Sequence, residues 1–141
     1  TAMLVDGGKT KFTTCTVAQI ARSLIAILNH PEETANKMVF TESFTTDQVE
    51  VLTALEKATG EKWNIVNAQA DDIRSEGFKA MSEGDVMGGG GKVLMGVVLG
   101  KDALEDHTGV EGGIWNERLG LAGEFVEEEV RKVVEYVATQ A

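Results

Sequence analysis

The sequence has few of the residues on which several common protein chemistries depend. Its single cysteine excludes an internal disulfide and fits a reducing compartment, which favours a cytoplasmic location. Cys15 has no Lys, Arg or His within two positions, so we interpret it as a buried structural thiol. With only two histidines the chain shows no His/Cys spacing of a metal site, and neither H-E-x-x-H nor G-x-S-x-G occurs. We therefore predict no metal site and no catalytic residue.

Basic residues and long apolar runs are also scarce. Lys and Arg number 13 against 23 Asp and Glu, which gives a formal net charge of −10. Binding to nucleic acid or to an anionic membrane requires a basic surface, so neither partner is predicted. The longest candidate apolar run, Val93–Leu99, is far shorter than the roughly 18 residues that a membrane-spanning helix needs. A hydrophobic content of 43% is typical of a globular protein.

Residues 16–60 predict a helix, a strand and a second helix. Thr16 and Gln19 form the pattern of a capping box, apolar residues follow at helical spacing, and Pro31 stops the helix. Met38–Phe40 is a short apolar run that predicts a buried strand. A second capping-box pattern at Thr45–Gln48 then begins a helix that ends at Gly60. This alternation indicates an α/β fold.

The remaining segments extend this pattern. Residues 2–14 predict two short strands around a turn at Asp6-Gly7, and Trp63–Val66 predict a further strand. Helices are expected over 71–81, with Asp71 or Asp72 as the cap, over 93–104 and at the end of the chain. The last helix presents one valine face, with Val126, Val130, Val133, Val134 and Val137.

Four consecutive glycines at positions 88–91 predict a flexible connection, because glycine loses the most backbone freedom on ordering. They do not form a phosphate-binding loop of the G-x-x-x-x-G-K-[S/T] type, because Val93 follows Lys92.

Together these features resemble the C-terminal half of the NmrA-like and isoflavone-reductase-like proteins, of the atypical short-chain dehydrogenase/reductase group, in their fungal form. The resemblance covers nearly all of the chain and is carried by Asp6–Gly8 with Lys11, Val17–Ala21, His30–Lys37, Ser43–Thr45, Leu55–Trp63, Leu119–Leu121 and the final helix. One difference stands out: that family often has Asp-Ile-Gly where this chain has Gln19-Ile20-Ala21.

The resemblance implies that residues 1–141 are a helix-rich, C-terminal substrate-binding region of a Rossmann-type reductase. The dinucleotide-binding half, with its G-x-x-G-x-x-G turn and, in active reductases, a catalytic Lys, is not in this sequence. NADP or NAD is expected in the intact protein and no cofactor for this chain alone. Two alternatives stay open, a dinucleotide-sensing regulator that binds a partner protein without turnover, and a stand-alone binding module.

The candidate substrate is small and apolar or aromatic. Its pocket walls are expected from Phe44, Trp63, Phe78 and Trp115. Trp115 is equally compatible with a role in the core, and His107, in the same Gly-rich loop, either lines the pocket or faces solvent. The expected protein partner is the missing half or a second copy, because the Met38–Phe40 strand and the apolar helix over Val17–Leu28 would otherwise remain uncovered.

Overall fold

The computed structural model describes residues 1–140, which form a helix-rich α/β fold with a few short strands. This confirms the predicted fold class. The strands are β1 (Ala2–Val5), β2 (Phe12–Thr14), β3 (Phe44–Thr46) and β4 (Ile65–Ala68). The helices are α1 (Val17–Asn29), α2 (Pro31–Thr34), α3 (Gln48–Thr59), α4 (Ala70–Ser82), α5 (Val86–Val98) and α6 (Val126–Gln140). Over these residues, no helix combines the length and the apolar character that a membrane crossing requires.

The strands form two separate pairs. β1 lies parallel to β4, and β2 lies antiparallel to β3. The prediction of two strands in residues 2–14 is correct, but they do not pair across the Asp6-Gly7 turn. The second edge of β1 is occupied by the side-chain amide of Gln48, which accepts from Val5 N at 3.0 Å and donates to Met3 O at 3.2 Å. β2 therefore finds no free edge on β1.

The helix starts are close to the predicted ones, but their caps differ. Thr16 Oγ1 accepts from Gln19 N at 3.0 Å, as a capping box requires. In place of the reciprocal capping-box bond to the Gln19 side chain, Thr16 N donates to Ser43 Oγ at 2.9 Å. α3 is capped by Asp47, which accepts from Glu50 N at 2.9 Å, and it ends at Gly60 with φ +72°, as predicted.

The prediction that Met38–Phe40 is a buried strand is wrong. Met38 is 78% exposed, and Phe40 makes only a single parallel bridge, to Ile114 in a distant loop. The pairing strand is β3, four residues later, where Thr45 pairs with Thr13 and their hydroxyls lie 2.8 Å apart. A run of three apolar residues does not specify which strand it pairs with. β3 pairs with β2 through backbone hydrogen bonds and through the contact between the Thr13 and Thr45 hydroxyls.

The prediction that the glycine run is flexible is also wrong. Positions 88–91 lie inside α5, which packs antiparallel against α4 in a tight helical hairpin. A Cβ on Gly89 would lie 2.5 Å from Gly77 O, and one on Gly77 would lie 2.7 Å from Gly89 O. The absent side chains therefore allow two helix backbones to approach closely, and this contact offsets the entropy that glycine loses. α5 ends at Val98, six residues before the predicted end.

α4 has no capping side chain of its own, although Asp71 or Asp72 was the expected cap. Asp6, at the end of β1, supplies the cap instead: its Oδ1 accepts from Ala70 N at 3.1 Å. The end of the first strand is thereby tied to the start of the helix that follows its parallel neighbour.

The last helix packs on α3 through part of its predicted valine face. Val126, Val130 and Val134 are half-buried, whereas Val133 and Val137 are 58% and 59% exposed. Lys57 on α3 pairs with Glu127 on α6 at 2.8 Å, at the edge of this contact.

The apolar core of the described residues is small. Eight apolar residues are buried, and Val5, Ala70 and Ile73 form their central cluster. Twenty-one large apolar side chains are exposed over the same residues, among them Val17, Ile20, Leu24, Ile25 and Leu28 along α1. Apolar surface of this extent is typical of a protein that buries it against something else.

Candidate functional site

The loop between α5 and α6 is fixed on the rest of the protein by hydrogen bonds to its backbone. Thr13 N donates to Glu105 O at 2.7 Å, and His107 N donates to Thr13 Oγ1 at 2.9 Å. Farther along, Trp115 N donates to Phe40 O at 2.8 Å. These bonds fix two of the predicted site residues, His107 beside Thr13 and Trp115 beside Phe40.

Two sets of side-chain contacts are joined by the hydrogen bond from Trp115 N to Phe40 O, and we call their five residues the Trp115 cluster: Lys37, Phe40, His107, Trp115 and Arg118. The rings of Phe40 and His107 lie 5.2 Å apart between centroids, tilted by 49°. The Arg118 guanidinium lies 4.4 Å from the centroid of the Trp115 ring, and Lys37 Nζ lies 5.6 Å from it. Trp115 itself is buried, at 6% exposure.

The Trp115 cluster contains polar groups without protein partners. Within residues 1–140, no carboxylate lies within 4.0 Å of Lys37 or Arg118, and both side chains are exposed. The indole N–H of Trp115 has no acceptor in this part of the chain, yet it is not among the buried unpaired atoms. Gly112, with φ +84°, lies beside it, and a Cβ there would be 3.8 Å from Trp115 Nε1.

The other predicted pocket residues lie elsewhere. Phe44 is half-buried on β3 opposite Thr14, and Phe78 is 60% exposed on α4. Trp63 is half-buried in the loop before β4, where its backbone N donates to Glu56 Oε1 at 3.1 Å. Two of the cavities in the described residues are lined by other side chains: one of about 460 Å³ lies between α3 and α6, and one of about 230 Å³ lies beside β1. The four predicted aromatic walls do not enclose one pocket in this part of the chain.

A second polar assembly, absent from the predicted site residues, joins the start of α1 to the chain before α6. We call it the Glu124 network: Thr16, Gln19, Arg22, Ser43 and Glu124. The Glu124 carboxylate accepts from Thr16 Oγ1 at 2.8 Å, from Ser43 Oγ and from Arg22. Burial acts to raise the pKa of Glu124, but the bonds from Ser43, Thr16 and Arg22 outweigh it, so that the pKa is lowered.

Gln19 is the fully buried member of this network, with 0% exposure. Its Nε2 donates to Glu42 O at 3.1 Å and to Ala122 O at 3.2 Å, and its Oε1 accepts from Arg22 Nε at 2.8 Å. The sequence signal was the amide at a position where the resembled family often has Asp. A carboxylate accepts hydrogen bonds only and could not serve both carbonyls.

The one strand–helix step of the parallel sheet is β4–α4, and it is unsuited to a dinucleotide phosphate. Asp6 already occupies the Ala70 N–H, and Asp71 and Asp72 lie in the first turn of α4. The Asp6 Oδ2 also accepts from Lys101 N at 3.0 Å, and the two backbone bonds from Lys101 and Ala70 lower the pKa of Asp6. A pyrophosphate would meet three carboxylates where it needs open N–H groups.

Among residues 1–140, no three or more His, Cys, Asp or Glu side chains are grouped to hold a metal ion.

Comparison with known proteins adds two fungal relatives. The chain is 39% identical over 88 residues to oxidoreductase poxI of Penicillium oxalicum, a match that covers 62% of this chain and 27% of that protein. It is 28% identical over 87 residues to oxidoreductase aprR of Aspergillus flavus, covering 62% of this chain and 29% of that protein. The similarity thus spans less than a third of either relative. No protein-family model and no solved structure matches the chain.

Proposed function

We propose that this chain is the substrate-binding half of an NAD(P)H-dependent, NmrA-like or isoflavone-reductase-like oxidoreductase, and that a dinucleotide-binding half in the same protein completes it. The similarity to two fungal oxidoreductases supports the reaction class. Because both relatives are more than three times as long as the matched stretch, they have room for a further domain.

The observation that carries this proposal is the open parallel sheet. Parallel sheets are found almost only with both faces covered. Here β4 is an edge strand, and its adjacent residues Ile65 and Val66, which point to opposite faces, are each 48% exposed. A larger parallel sheet added at β4 would pair this edge and bring helices onto both faces.

The exposed face of α1 agrees with the same completion. Ile20, Leu24 and Leu28 are 56%, 57% and 68% exposed at helical spacing, whereas the buried positions of α1 are the polar Gln19 and Ser23. An amphipathic helix normally turns its apolar stripe to the core. A further domain that packs on this stripe would restore that arrangement.

The Trp115 cluster is the proposed substrate surface. It combines aromatic rings with unpaired donors, which is the composition of small-molecule sites. In the completed protein the second domain would close over it and hold the nicotinamide against the substrate. This half would supply binding and orientation, while hydride transfer belongs to the cofactor.

The first test is a calorimetric titration of NADPH into the 141-residue chain. We expect no appreciable binding, because the described residues lack a Gly-rich turn between a strand and a helix, and the β4–α4 step is acidic. A longer protein that includes this chain and a dinucleotide-binding half should bind NADPH. Micromolar binding to this chain alone would overturn the proposed division of roles.

Turnover of NADPH distinguishes the proposed reductase from the alternative function, a dinucleotide-sensing regulator. If the longer protein binds NADPH and oxidises it in the presence of a reducible aromatic substrate, it is a reductase. Binding without oxidation, together with capture of a protein partner, would instead favour the regulator.

A further inference from the structure

We infer that the cavity of about 230 Å³ beside β1 binds a small neutral compound built on a single apolar ring. The inference goes beyond the proposed function, because this cavity shares no lining residue with the Trp115 cluster. Four elements contribute its walls: Leu4 from β1, Phe12 from β2, Leu52 and Leu55 from α3, and Leu99 directly after α5.

The lining of the cavity carries no charge. Of the nine residues that line it, eight are apolar and the ninth is the neutral amide Gln48. Four other cavities in residues 1–140 each have at least two charged side chains in their linings. A charged ligand would lose its hydration in the cavity beside β1 and find no ion partner there, so the ligand is neutral.

The volume of the cavity limits the size of the ligand. An apolar cavity of roughly 150 Å³ binds benzene, so about 230 Å³ accommodates one ring with a small substituent. Leu4 and Leu52 line its inner part and are 8% and 7% exposed, whereas Met3 is 42% exposed and lies at its opening. An unfilled cavity of this kind weakens packing, and a bound ring would restore contacts to both leucines.

The walls of the cavity are held in place without a ligand. The side-chain amide of Gln48 joins the start of α3 to two backbone groups of β1. Lys11 pairs with Asp47 at 3.2 Å and with Glu50 at 2.8 Å, which ties the start of β2 to the start of α3. A preformed cavity of this kind is typical of small-molecule sites.

A protein segment is a poorer occupant of the same place. Addition of a strand to β1 requires free backbone groups, and Gln48 already occupies Val5 N and Met3 O. The further domain proposed above adds to β4, on the opposite edge of the two-stranded sheet. Completion of the protein at β4 would therefore leave this cavity unfilled.

The experiment is an NMR titration of the 141-residue chain, read from its methyl signals. The probes are toluene and, as a charged ring of similar size, benzoate. Ala2→Leu narrows the cavity beside β1, and Ala58→Leu is the matched control, because Ala58 is also half-buried but lines the cavity between α3 and α6. Leu24→Glu, on the exposed face of α1, controls for binding to open apolar surface.

We expect toluene to shift the methyl signals of Val51, Leu52, Leu55 and Leu99 saturably and to bind at least about tenfold tighter than benzoate. Ala2→Leu should weaken binding of toluene at least about tenfold, whereas Ala58→Leu and Leu24→Glu should leave it unchanged. The methyl signals of the wild type locate the bound ring even if Ala2→Leu fails to fold.

Absence of saturation, equal binding of benzoate, or unchanged binding in a folded Ala2→Leu protein would each overturn the assignment. Shifts confined to methyl groups of α1 would overturn it as well, because they would place toluene on the open surface. If toluene dissociates an oligomer of the chain, a side chain of a second copy fills the cavity and the assignment is wrong. The titration contains no dinucleotide, so its failure is distinct from failure of the reductase proposal, which is tested by NADPH.

Discussion

Gln19→Glu is expected to destabilise the protein by about 2–4 kcal/mol at neutral pH, although it only replaces the NH₂ group of the side-chain amide by an oxygen of similar size. The substitution removes the donor that serves Glu42 O and Ala122 O. It also places a second carboxylate in the buried network that already holds Glu124, with Arg22 shared between them. Burial of a charge without adequate pairing is costly, so the native state should lose more than one hydrogen bond.

The measurement is urea denaturation of the wild type and of Gln19→Glu between pH 3 and pH 8. The new carboxyl should have a pKa raised in the folded state, so its cost appears as pH rises above the unfolded value of about 4.3. Glu124 acts in the opposite direction, because its pKa is lowered in the folded state. Its carboxylate therefore stabilises both proteins at pH values above its unfolded-state pKa, and this contribution is lost as the pH falls. The difference in the free energy of unfolding between the two proteins should therefore shrink at low pH.

Gln140→Glu, on an exposed residue of α6, is the control and should change the free energy of unfolding little. A Gln19→Glu protein as stable as the wild type at pH 7 would contradict the described network.

Gly89→Ala and Gly90→Ala are expected to change stability in opposite directions, although the residues are neighbours in one helix. A Cβ at Gly89 would lie 2.5 Å from Gly77 O and 2.8 Å from Met81 N, so α4 and α5 would have to separate, at a cost of about 1–3 kcal/mol. At Gly90 nothing lies within 4 Å of the added Cβ. There the better helix propensity of alanine should stabilise the protein by about 0.5–1 kcal/mol.

Thermal and chemical denaturation of the two single variants would test this pair. Gly91→Ala is a second open position in the same run and should resemble Gly90→Ala. Stabilisation by Gly89→Ala would mean that the two helices are not in close contact.

Local signals in the sequence predicted much of the secondary structure. Thr16, Pro31 and Gly60 mark helix ends through their own backbone and hydroxyl chemistry, so both bounds of α1 and the end of α3 followed from them. The failures arose where the partner is distant in sequence. The role of Gly89 depends on Gly77 in another helix, and the failure of β1 to pair with β2 depends on Gln48.

The candidate site was predicted only in part for the same reason. His107 and Trp115 were recognised because a His and a Trp in a Gly-rich loop are chemically distinctive. Lys37 and Arg118 carried no signal of their own, and only the fold shows that both lie over Trp115. Phe44, Trp63 and Phe78 remain predictions, since the described residues do not bring them to the Trp115 cluster.

The central claim is that this chain leaves apolar surface open for a further domain. It is tested most directly by light scattering and binding of a hydrophobic dye, on a sample whose mass is confirmed as the 15.1 kDa chain. We expect self-association or strong dye binding, because the α1 face and the β4 edge are uncovered. Leu24→Glu, on a residue that is 57% exposed, should reduce either signal without unfolding the protein. A clean monomer that binds no dye would contradict the claim and favour a stand-alone binding module.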